Sequence, residues 1–212
     1  MKLIIELSEY NMQQCALFSH ESALTQQRVE FGQKTTKERP LAEIARDNMI
    51  GKMGEVAFQK FLYQRFGIKT PVNFDIYPRG DCDNIDVGIN GWGIDVKTTR
   101  YGNNLLYERN KLEYRRKSET IPDALVVCKV AWNKDRDTPA KRTVELIGCI
   151  STLNMINPKN KDVELLEKGE YIPCTRTPLQ ADNYVVGFNR LSDIEKSVEY
   201  MLKNRPIRRM AV

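Results

Sequence analysis

Asp95 and Lys97 stand two apart in the stretch GWGIDVKTTR, residues 91–100. Ile94, Val96 and Thr98 alternate with Asp95, Lys97 and Thr99, the period of a β-strand, so the acid and the ammonium share one face of a sheet. Such a pair is either an ordinary solvated face or two parts of a reaction centre, and what else converges on it decides. Asp86, in NIDVGI, lies on the preceding strand-like run. Asn90-Gly91 between the two runs is a hairpin turn signal that sets position 86 roughly opposite 95. Two carboxylates so close repel each other unless a proton or a cation intervenes. Oxygen ligands of this kind suit Mg²⁺ or Mn²⁺, and the backbone carbonyl of Val96 is a further candidate ligand. Asp81 and Asp83 compete with Asp86 for the same role.

The second element that must reach this centre is helical. Ile50, Met53, Ala57, Phe58, Phe61 and Leu62 recur at helical spacing, which predicts a helix from Leu41 to Phe66 stopped by Gly67. Glu55 interrupts its apolar face, flanked by Gly51 and Gly54. A helical glycine costs about 1 kcal/mol relative to alanine, which is understandable where the helix approaches another backbone closely. Taken singly, each of these residues is more often an ordinary surface group than part of a site.

The remaining pattern supplies the frame. Residues 1–7 suggest a short strand, and Ser8 caps a predicted helix to about Gln27; PVNFDIY is a candidate strand. A charged helix is expected over 107–119. DALVVCKVAW, almost uninterrupted in its apolar character, suggests a central strand, with RTVELIGCIS and NYVVGF as later strands. LSDIEKSVEYML is a predicted helix with Ser192 as its cap. This order argues for an α/β or α+β layer fold, a mixed central sheet flanked by helices with an N-terminal helical extension. The expected division is an N-terminal extension over 1–40, a core over 41–151, and C-terminal elements with a basic tail over 152–212.

The series Glu55, Asp86, then Asp95-Val96-Lys97 resembles the PD-(D/E)xK nuclease superfamily over about residues 44–131. In that superfamily a helix glutamate is followed by a hairpin aspartate and then (D/E)xK on the next strand; here no proline precedes Asp86. VELIGCIS is also similar to a strand of phage and restriction-type members. The resemblance implies a restriction-endonuclease-like core and a Mg²⁺- or Mn²⁺-dependent DNA endonuclease. Asp86, Asp95 and Val96 would hold the ion, Glu55 a metal-bound water or a second ion, and Lys97 would position the attacking water and stabilise developing charge. Two alternatives stay open: a branched-DNA resolvase, and a non-catalytic DNA-binding or regulatory protein on the same fold.

Arg100, Arg109, Lys111, Arg115, Arg116 and Lys117 follow the motif, with Tyr101, Tyr107 and Tyr114 interleaved, and form a candidate path for the DNA backbone. A solvated helix face is an equally good account. Lys203, Arg205, Arg208 and Arg209 make a second basic cluster. The net charge of +5 across 212 residues is compatible with a nucleic-acid partner. A single histidine, His20, excludes two-histidine metal sites, and five scattered cysteines without a C-x-x-C pair exclude a zinc knuckle and point to a reducing cytoplasm. No apolar stretch approaches membrane-spanning length, and double-strand cutting would favour a homodimer.

Overall fold

The computed structural model describes residues 3–26, 39–76, 85–113 and 121–206. Asp81 and Asp83, the basic residues Arg115, Arg116, Lys117, Arg208 and Arg209, and Tyr114 lie outside the described residues. The architecture is mixed α and β. A five-stranded sheet runs in the order β1 (Leu3–Glu6), β6 (Thr138–Ser151), β5 (Ala124–Asn133), β3 (Trp92–Thr99), β2 (Val87–Ile89). Only β3 and β5 are parallel neighbours; the other pairs are antiparallel. The N-terminal strand thus forms one edge of the main sheet, and β5 is central as its apolar run predicts.

One face of this sheet is covered by α2 (Leu41–Phe66), and α1 (Glu9–Gln26) packs against α2. Ser8 accepts the Asn11 N–H at the start of α1. Gly67 ends α2 in the left-handed conformation and returns its N–H to the last turn. The buried side chains Met53, Ala57, Phe58 and Leu62 meet Ile94, Val96, Val126 and Cys128 in the larger core. Where α2 crosses β3, a Cβ built on Gly54 would lie 1.8 Å from Thr98 Oγ1, whereas nothing lies within 4 Å of one on Gly51. Close approach therefore accounts for one of the two glycines. Gly54→Ala is expected to cost about 1–3 kcal/mol through overpacking, while Gly51→Ala is neutral or stabilises by up to about 1 kcal/mol. Urea midpoints of the two variants check the contrast.

The opposite face carries a second sheet, β4 (Asn104–Glu108), β8 (Asn183–Gly187) and β7 (Val163–Leu166), in the order β4-β8-β7. Leu105, Tyr107, Tyr184 and Val186 pack with Leu125 and Val127 of β5 and Ile150 of β6 in a smaller core. Two short helices, α3 (Arg109–Glu113) and α4 (Thr152–Met155), and a last helix α5 (Ile194–Lys203) complete the frame. Among the described residues no helix is long and apolar enough to cross a membrane.

Three expectations are corrected. Residues 107 and 108 are strand, because Tyr107 and Glu108 pair with Tyr184 and Asn183, and helix α3 begins only at Arg109. Residues 71–76 form no strand: Phe74 packs edge-on against Phe18, and the Asn73 carbonyl is taken by Lys52 rather than by a neighbouring strand. The cap of α5 is Asp193, which accepts the Lys196 N–H, because the backbone of Ser192 is committed to a bridge with Cys149.

Candidate functional site

The hairpin sets the geometry. Asn90 and Gly91 both adopt positive φ, 48° and 86°, and the register runs Val87 against Ile94 and Ile89 against Trp92. Position 86 therefore falls opposite 95, and the Asp86 N–H reaches the Ile94 carbonyl at 2.9 Å. Strand β2 begins just after Asp86, so among the described residues the upper half of β3 has no strand partner along that edge. The Asp86 carboxylate occupies the gap and accepts the Val96 N–H at 2.7 Å. In an extended strand the N–H and C=O of one residue leave on the same side, which sends the Val96 carbonyl toward this edge as well.

Asp95 and Lys97 do share one face, but that face is not wet. Their partners across β5 are Leu125 and Val127, which belong to the smaller core beneath the second sheet. Asp95 is 6 % exposed. Its Oδ2 takes the Lys97 ammonium at 2.7 Å and the Tyr107 hydroxyl, which donates at 3.2 Å. Lys97 Nζ also stands 5.4 Å from the Tyr107 ring centroid, with 40 % of its side chain exposed. A buried carboxylate without a cation is costly, so this pairing is the minimum that the position demands. The second oxygen of each aspartate, Oδ1, has no hydrogen-bond partner among the described residues.

Glu55 approaches from α2 and interacts electrostatically with Asp86, Asp95 and Lys97. Its own Oε2 is held by Lys52 at 2.6 Å, one turn earlier on the helix. Among the described residues, no three of His, Cys, Asp and Glu converge closely enough to hold one ion. Asp86, Asp95 and Glu55 each have one oxygen engaged, by the Val96 N–H, by Lys97 with Tyr107, and by the buried Lys52 respectively.

Loss of surrounding water, and then the like charges of Glu55 and Asp95, push Asp86 up to about 8; the Val96 N–H and Lys97 oppose this. Burial likewise pushes Glu55 up, against the charge and hydrogen bond of Lys52. The folded state therefore holds the Asp86 proton more tightly than the unfolded chain does. That stability is fully present below the unfolded carboxylate range, at about pH 4, and is lost as pH rises through the folded value. Without divalent ions, the urea midpoint is expected to fall between about pH 5 and pH 8, and Asp86→Asn to flatten that fall. A midpoint that rises over this range, unchanged by Asp86→Asn, would contradict the assignment.

The basic residues are less convergent. Arg100 lies 3.7 Å from Asp47 and over the Tyr101 ring, Arg109 pairs with Glu113 at 2.7 Å, and Lys111 reaches Glu108 at 4.0 Å. Three described members of the expected DNA path therefore already have acidic neighbours. Burial pushes the Cys15 and Cys149 thiols up to about 12 and Cys128 upward as well, which disfavours the thiolate that a nucleophile needs. A cavity of about 900 Å³ opens elsewhere, between α4, α5 and the start of β3, and none of Glu55, Asp86, Asp95 or Lys97 borders it.

Two residues of the site are new relative to the sequence reading. Lys52 stands three before Glu55, a helical ion-pair spacing visible in the sequence. Tyr107 carried only an aromatic signal in a basic stretch. No protein-family model, no curated protein and no solved structure matches the chain.

Proposed function

We propose that this protein is a metal-dependent DNA endonuclease on a restriction-endonuclease-like core, with the site of the PD-(D/E)xK superfamily that its motif resembles. The observation that supports this most is the buried Asp95, paired with a half-exposed Lys97 and set across the hairpin from Asp86. An ordinary solvated strand face has no reason to bury its acid, and an ordinary core has no reason to keep one.

Asp86 and Asp95 would hold the cation through their remaining oxygens, with the Val96 carbonyl on the same edge. Mg²⁺ or Mn²⁺, when bound there, supplies neutralising charge at a phosphodiester and acidifies water. Lys97, with its ammonium at the mouth of the site, binds a non-bridging phosphate oxygen, orients the attacking water and stabilises the charge that builds in the transition state. Tyr107 holds Asp95 Oδ2 from below, so that the opposite oxygen keeps its direction. An all-oxygen ligand set, with no imidazole or thiolate, suits these cations. Double-strand cutting would need two such sites, hence a homodimer. The three buried thiols, with no disulfide among the described residues, are in keeping with a reducing, cytoplasmic setting.

Crystals grown with duplex DNA and Ca²⁺, which binds such sites but positions water poorly, test the arrangement. The expected result is an ion against Asp86 and Asp95 and a backbone phosphate beside Lys97. DNA bound at another face, with no ion here, would remove the reading.

A further inference from the structure

The Lys52 ammonium is among the least expected groups in the molecule. Lys52 is 7 % exposed, on the buried side of α2. Its Nζ lies 2.6 Å from Glu55 Oε2 and 2.7 Å from the Asn73 carbonyl, and it faces the Phe18 ring at 4.4 Å and the Phe74 ring at 5.6 Å. Two oxygens and two aromatic faces from α1, α2 and residues 71–76 enclose it. An ammonium satisfied on every side has little to gain by leaving, and leaving would strand Glu55 as an uncompensated buried charge.

We infer that Lys52 withholds Glu55 from the cation, so that the site takes one divalent ion, on Asp86 and Asp95, rather than two. The inference rests on the cation site proposed above and adds its stoichiometry and the residue that sets it. A two-ion site needs a carboxylate to hold the second ion, and the acid positioned for that, Glu55, carries on Oε2 the charge of a buried lysine enclosed on all sides, whereas the charge on Asp95 comes from the half-exposed Lys97, which is free to turn toward solvent or phosphate. Charge balance points the same way. With a cation on Asp86 in place of the proton that the ion-free site holds there, Glu55, Asp86 and Asp95 against Lys52 and Lys97 carry one negative charge. One divalent ion turns that into a single positive charge, which matches the single negative charge of a phosphodiester. A second ion would leave three positive charges in a half-buried site, where such an excess is not screened. Lys52 thus serves electrostatically where a second metal would stand, and Glu55 is a positioning residue rather than a ligand.

Mn²⁺ titration of the full chain, followed by calorimetry and by the electron-spin signal of free Mn²⁺, counts the ions. It is run alone and with a cleavage-resistant phosphorothioate duplex. One ion in both settings, lost in Asp95→Asn, is expected; two ions in either overturn the inference while leaving the nuclease reading standing. Absence of any bound ion, or one indifferent to Asp95→Asn, overturns the cation site itself. The second arm replaces the pair together, Lys52→Met with Glu55→Gln, which keeps the local net charge. A buried ion pair exchanged for neutral groups is often tolerated, so the fold should persist and Mn²⁺ affinity stay within about threefold. A loss beyond about tenfold, the scale at which the immediate metal environment is felt, would make Glu55 a ligand and refute the role given to Lys52.

Discussion

Lys97→Ala is expected to lower the rate of DNA cleavage by at least about 10²–10³-fold, the cost of removing one positioned charge from a developing anion, while DNA affinity stays nearly intact. In the proposed reaction the ammonium would act where charge builds in the transition state, whereas affinity would be spread over many phosphate contacts. The variant also strips Asp95 of its counter-charge. The Tyr107 hydroxyl remains on Oδ2, and a bound cation would replace the lost charge, so the folded state should survive. Lys97→Met is the control: its chain can still cover the Tyr107 ring, and it should lose as much activity as the alanine variant. Single-turnover cleavage and fluorescence anisotropy, read on the same duplex, separate the two effects. Cleavage at the parent rate would return Asp95 and Lys97 to a structural ion pair.

Asp95→Asn should act through the cation. The amide keeps the shape and can still accept from Tyr107, but removes the charge that draws a hard ion. Mn²⁺ binding is expected to weaken by about 100-fold or more, at or beyond the upper end of what outer-shell changes cause, and cleavage to fall with it. Stability should hold or rise, since the variant no longer buries a carboxylate, and Lys97 is exposed enough to solvate its own charge. Thermal unfolding without divalent ions, compared with Mn²⁺ binding and cleavage, distinguishes this from simple damage to the fold.

Much of the site was legible because its signals are local. Asn90-Gly91 declares the hairpin, and period-two alternation then sets Asp86 across from Asp95 and puts Asp95 and Lys97 on one face. The helix from Leu41 to Phe66 could be read from its apolar period and Gly67. What escaped came from pairings distant in sequence. Tyr107 lies in strand because Tyr184 faces it, some seventy-seven residues later. The same second sheet turns an apparently wet face into a buried one, which alternation alone cannot reveal, since Asp and Lys at alternate positions are the ordinary signature of a solvated face. At the start of α5 both Ser192 and Asp193 have capping chemistry, and only the bridge from Ser192 to Cys149 decides between them. Lys52 was visible at helical spacing from Glu55, but its burial depends on Phe18 and Phe74, which two other segments bring.

The hairpin and its buried pair also separate the remaining possibilities. A DNA-binding protein without catalysis would bind equally well in EDTA and with Asp95→Asn. A branched-DNA resolvase would share the cation site and differ in the substrate it cuts. The most direct measurement is therefore incubation of the purified protein with linear, circular, single-stranded and branched DNAs, in Mg²⁺ and in EDTA, beside Asp95→Asn. The proposed endonuclease activity requires internal cleavage of at least one of these DNAs in Mg²⁺, none in EDTA, and none with the variant. Cleavage that persists in EDTA or in Asp95→Asn, or DNA left intact across the whole panel in Mg²⁺ and Mn²⁺, would contradict it.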